Sequence, residues 1–150
     1  MAAAAAQEQF RAFLAKYDPR IAALAKRART KIRALLPGAI ELVYDNYNAL
    51  VIAFASSERA SDAILSLALY PRWVTLFFAD GKSLRDPTKL LKGSGVRVRH
   101  IVLESAEDLD RTDVRPLIEQ AARGLATGGR RRMIVKSVSK KQRPRRPAAK

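Results

Sequence analysis

Apolar residues recur at helical spacing in the first quarter of the chain and at strand spacing through its middle. Phe10, Phe13, Leu14 and Tyr17 share one face of a helix over residues 7 to 17. Asp18-Pro19 reads as a second helix start, with the Asp18 carboxylate capping free N–H groups and Pro19 in the first turn, where its missing donor costs nothing. Ile21, Leu24, Ala28, Ile32 and Leu35 continue as one stripe. Lys26, Arg27, Arg29, Lys31 and Arg33 mostly occupy the remaining surface, and Pro37-Gly38 stops the helix.

Beyond that stop the period falls to two, the spacing of strands. Strands are predicted at 41 to 46, 50 to 54, 64 to 70 and 73 to 79, with turns at Asn46-Tyr47-Asn48, Pro71-Arg72 and Asp80-Gly81. Asp86-Pro87 can start one helical turn. Val96, Val98, His100 and Val102 then alternate against Arg97 and Arg99, which predicts a half-buried strand with both arginines outward. A last helix starts at Asp113, carries Val114, Leu117, Ile118, Ala121 and Leu125 on one face, and ends at Gly128-Gly129.

Short connectors between strands, with helices at both ends, predict an α+β fold. It is a two-layer domain with N-terminal helices, a mainly antiparallel four- or five-stranded sheet, a C-terminal helix and a basic tail. Residues 7 to 129 form the domain and 130 to 150 the tail, which is expected to be flexible although Met133 to Val138 is β-prone and can dock as an edge strand.

Charge sharpens this division. The last 21 residues hold ten of the 29 basic residues and none of the 14 acidic ones, leaving 19 basic against 14 acidic groups in residues 1 to 129. The net charge of +15 favours polyanionic partners. The absence of cysteine excludes disulfides, thiolate metal sites and cysteine nucleophiles, and makes the cytoplasm the expected compartment. No stretch is apolar enough for a spanning helix, so integral membrane association is not expected.

Three groups of residues are candidates for binding. The loop from Lys89 to Gly95 can turn backbone N–H groups toward an anion through Gly93 and Gly95, while Lys89, Lys92, Arg97 and Arg99 supply charge. Tyr44, Tyr47, Tyr70 and Trp73 can line a pocket or partner surface, because each joins an apolar body to a polar handle. In the tail, Arg130, Arg131, Arg132, Lys140, Lys141, Arg143, Arg145 and Arg146 can neutralise phosphates without reading a sequence. His100, the single imidazole, has no nucleophile pattern beside it and is expected as a semi-buried polar group. Glu104, Glu107, Asp108, Asp110 and Asp113 cluster, but capping and solvation explain them more simply than a metal does.

The segment Leu84 to Ile101, with its Asp86-Pro87, its Leu90-Leu91-Lys92-Gly93-Ser94-Gly95 turn and its Arg99-His100-Ile101, resembles the YdhG-like family, domain of unknown function 1801. The resemblance spans about residues 10 to 127. Pro37, Glu41 and Tyr44 fit an earlier part of the pattern, whereas Asp45, Tyr47 and Ala49 stand where a glycine, a proline and an aromatic are usual. It implies a frataxin-like two-layer α+β fold, and some members are described as iron chaperones. The expectation is a small non-enzymatic domain without a cofactor that binds an anionic ligand or a protein. The alternatives are a nucleic-acid-associated protein acting through its tail, and an iron chaperone using Glu104, Glu107, Asp108 and Asp110.

Overall fold

Alternating strands that hide one face need a layer to cover it, and the two N-terminal helices supply that layer. The computed structural model describes residues 2–123, 125 and 131–148. Helix α1 (Ala2–Ala15) and helix α2 (Pro19–Leu35) precede strands β1 (Ile40–Asp45), β2 (Leu50–Ala55), β3 (Ala63–Leu69), β4 (Val74–Phe78) and β5 (Arg99–Leu103). Helix α3 (Arg115–Ala121) and strand β6 (Met133–Val138) follow. Leu50, Ile52, Phe54, Leu65, Leu67, Leu69, Val74, Leu76 and Phe78 form one continuous core with Ile21, Ala25, Ala28 and Ile32 of α2. Ala25 and Ala28 carry no bulk, so α2 can lie close to the sheet. Each fully buried Leu, Ile or Phe contributes about 1.5–3 kcal/mol.

The α+β two-layer architecture is as expected, but the sheet is six-stranded and mixed. Its order is β5-β4-β3-β2-β1-β6. All pairs are antiparallel except β1 with β6, which run parallel, Glu41 opposite Met133 and Asp45 opposite Val138. The sixth strand comes from the segment expected as a tail, because the edge of β1 offers unpaired backbone groups that a β-prone run can satisfy. Glu41 donates its N–H to the Arg132 carbonyl at 2.9 Å, and Ser139 donates to the Asp45 carbonyl at 2.8 Å. Met133–Val138 thus docks as an edge strand, within the 130 to 150 segment.

Three local expectations also change. The Asp18 carboxylate makes no capping bond to α2, and its backbone carbonyl instead accepts from Ala22 at 2.9 Å. Helix α3 follows Val114 rather than an Asp113 cap, while Asp113 pairs with Arg111 at 2.7 Å. In β5 the phase is reversed. Ile101 and Leu103 face the core opposite Leu76 and Val74, whereas Val102 is exposed and Val96 and Val98 lie before the strand. The Gly128-Gly129 stop lies outside the described residues.

Gly81 illustrates how the β4–β5 connection closes. A Cβ there would stand 2.4 Å from the Arg99 Cβ, so the position requires glycine for close approach and not for a positive φ. Asp86 organises the next turn without a helix, its carboxylate accepting from the N–H groups of Leu90 and Leu91 at 3.0 and 2.8 Å. No helix among the described residues is long and apolar enough to cross a membrane.

Candidate functional site

The antiparallel register brings the turns at 46–49 and 70–73 to the same end of the sheet, and the parallel β6 delivers its following residues there as well. Tyr17, just past α1, ties this end together. Its hydroxyl donates to the Leu69 carbonyl at 2.8 Å and accepts from the Leu50 N–H at 3.0 Å, so one buried phenol bridges β2 and β3. Burial raises its pKa against the opposing pull of the Leu50 N–H and Arg145.

Asp45 is the electrostatic centre of this end. It is fully buried at the last position of β1 and receives Arg145 Nη2 at 2.8 Å and Lys16 Nζ at 3.0 Å. Desolvation alone would raise its pKa; the side-chain hydrogen bonds of Gln142, Lys16 and Arg145 overcome this and hold the carboxyl below the ordinary aspartate value. Arg145 is itself only 6% exposed and also donates to the Asn46 carbonyl at 2.5 Å. It therefore differs from the exposed phosphate contact expected of it. Arg143 donates its backbone N–H to the Tyr47 carbonyl at 2.8 Å, and Arg146 donates to the carbonyls of Lys16 and Ala15 at 3.2 and 3.4 Å.

Clamped in this way, residues 143–148 form one wall of an open cleft of about 620 Å³. The facing wall is the β3–β4 turn, closed by the Tyr70 N–H donating to the Trp73 carbonyl at 2.9 Å. The Tyr70 and Trp73 rings stack with centroids 5.4 Å apart and an interplanar angle of 29°. Trp73 remains 44% exposed. Arg72, Arg143 and Arg146 line the cleft with Asn48, and among the described residues no carboxylate does. Among the described residues Arg72 and Arg143 form no ion pair, and Arg146 has only Asp18, at 3.8 Å and on the surface. Such surroundings attract an anion and offer an aromatic surface beside it.

The other candidates lie elsewhere. Tyr44 is half-buried in β1 against Ile40 and Leu42, its hydroxyl without a partner among the described residues, and Tyr47 is exposed in the neighbouring turn; neither lines the cleft. The 89–99 loop joins β4 to β5 at the opposite end of the sheet. There Arg97 Nε meets Asp80 at 3.2 Å, and the same bond, with that of Ser83, lowers the Asp80 pKa. Arg99 Nη1 donates to the Gly95 and Val98 carbonyls at 2.6 and 2.8 Å. Gly93 takes a positive φ, Lys89 and Lys92 are exposed, and Lys92 bridges to His100. The two carbonyls that Arg99 occupies close the turn on itself.

Arg131 donates to the Arg33 carbonyl and Arg132 pairs with Glu58, while Lys140 and Lys141 are exposed; Arg130 lies outside the described residues. His100 packs its ring 5.5 Å from Phe77. Glu107 pairs with Arg27, Asp110 with Lys31 and Arg115, and Asp108 accepts from the Glu104 and Ser105 N–H groups. Among the described residues no group of three or more His, Asp or Glu can hold a metal ion.

Sequence reasoning passed over Arg72, Asn48 and Asp45. Arg72 reads only as a strand breaker, although a cation set between Tyr70 and Trp73 is a visible signal. Asp45 gives itself away by its phase with Val43 on the buried face, but its partner is 100 residues distant. Comparison with family models, curated proteins and solved structures finds no match for this chain.

Proposed function

We propose that this protein is a non-enzymatic binding module whose ligand is anionic and sits in the cleft between the Tyr70–Trp73 turn and residues 143–148. The observation that carries this reading is the lining itself: three arginines and two stacked rings, drawn from segments about 70 residues apart, with no carboxylate among the described residues that line it. Ordering the wall through Asp45 and Arg145 leaves Arg72 and Arg143 to face solvent without a counter-charge among the described residues. The volume lies within the range typical of small-ligand sites. The resemblance of residues 84–101 to the YdhG-like family is likewise a proposal. The iron-chaperone alternative gains no support from Glu107, Asp108 and Asp110, whose carboxylates are engaged in pairs and caps.

Calorimetry with inorganic polyphosphate tests this reading. The double reversal Arg72→Glu/Arg143→Glu is compared with Lys26→Glu/Lys82→Glu, which changes net charge equally at exposed residues outside the cleft. The cleft variant loses most of the affinity and the control little. Equal losses in the two would assign binding to overall charge and refute the site.

A further inference from the structure

We infer that the ligand of the cleft is single-stranded nucleic acid, with one base laid on the indole of Trp73 and its phosphates on Arg72 and Arg143. This deepens the anion-binding reading and rests on it. Three observations narrow the ligand beyond its charge.

The first is the platform. Trp73 is braced by Tyr70 from one side and fixed by the closed β3–β4 turn, yet nearly half its surface is open. A flat π surface held rigid in water loses little freedom when another flat ring stacks on it, and every nucleobase provides one. An acidic peptide would satisfy the arginines but leave the indole without a matched partner.

The second is the layout of charge. Arg143 belongs to a run with Lys140, Lys141 and Arg146, exposed residues that follow β6 past the cleft without an intervening acid. A chain of phosphates can follow such a line, whereas a single compact anion would use only one part of it.

The third is shape. The site is concave, so a base must be turned out to enter it, and bases held inside a duplex are not available for stacking. Pro71, Pro144 and Pro147 add apolar walls of fixed backbone geometry and do not compete for the phosphates.

Trp73 is the only tryptophan, so its emission reports this site alone. The full chain is titrated with an oligothymidylate of about ten nucleotides, within the usual footprint of such sites, and with inorganic polyphosphate of equal charge. The oligonucleotide quenches Trp73 emission. In anisotropy measurements with labelled oligonucleotide, Trp73→Ala weakens binding roughly 5- to 150-fold, Trp73→Phe less, and polyphosphate affinity is unchanged by either. Neutralising Arg72 and Arg143 to Gln lowers the salt slope by about 1.4, two phosphates at single-strand stoichiometry.

Oligonucleotide affinity unaffected by Trp73→Ala, with polyphosphate still sensitive to Arg72 and Arg143, would overturn the nucleic-acid inference and leave the anion site standing. Insensitivity of both ligands to the two arginines would remove both. Absence of oligonucleotide binding at low salt would also overturn the inference. Circular dichroism matching the unsubstituted chain ensures that each loss reflects the site.

Discussion

Replacing Arg145 with Met keeps most of the side chain's stem and removes the guanidinium that faces Asp45 and the Asn46 carbonyl. The pair is 2.8 Å apart, with the two side chains 4% and 1% exposed. At an effective dielectric of about 20, two unit charges at that distance attract by about 6 kcal/mol. Desolvation of both ions offsets much of this, and Lys16 at 3.0 Å stays to share the carboxylate. Breaking a buried pair from one side typically costs 3–5 kcal/mol, and the remaining lysine places Arg145→Met near the lower end, about 3 kcal/mol. With a urea m-value of about 2 kcal/mol/M, the unfolding midpoint falls by about 1.5 M, read by far-UV circular dichroism. Asp45→Asn in the same background closes a double-mutant cycle with a coupling of about 2 kcal/mol. A single variant within about 0.5 kcal/mol of the parent, or strictly additive substitutions, would refute the claim that this pair holds the C-terminal segment.

Tyr17→Phe removes the hydroxyl shared by Leu50 and Leu69 and destabilises the protein by about 2 kcal/mol in the same urea assay. Gly81→Ala drives a methyl against the Arg99 backbone and Cβ, costing about 2 kcal/mol and lowering Tm by about 5 °C in a thermal melt. Asp45 titrates below its unfolded value, so its contribution is complete above about pH 4 and is lost as the pH falls through the lower folded value. Urea midpoints measured from pH 5 downward show this acid loss, and the loss shrinks in Asp45→Asn.

The helices and the first four strands were legible because their periods are unambiguous: the α2 stripe recurs at 3.6 and Leu65, Leu67 and Leu69 alternate cleanly. The last antiparallel strand is ambiguous in phase because apolar residues stand on both of its faces, Ile101 and Leu103 on one and Val102 on the other, and pairing with Val74 and Leu76 decides which face is buried. The sixth strand was visible as a β-prone run, but its parallel docking depends on the free edge of β1, a property of the assembled sheet. The cleft was legible in halves. Tyr70 and Trp73 read as a surface and Arg143 and Arg146 as phosphate contacts, but their meeting depends on Asp45, whose role as an anchor is fixed only by a residue at the far end of the chain. Charge density alone cannot distinguish the buried Arg145 from the exposed Arg143.

Amide hydrogen exchange at Ser139 and Arg143 tests most directly whether the basic C-terminal segment is a built wall of the cleft. Their N–H groups are bonded to the carbonyls of Asp45 and Tyr47 at 2.8 Å, so both exchange slowly in the parent protein and speed up markedly in Arg145→Met. Exchange at the rate of an unstructured peptide in the parent protein would contradict that wall, and with it the cleft.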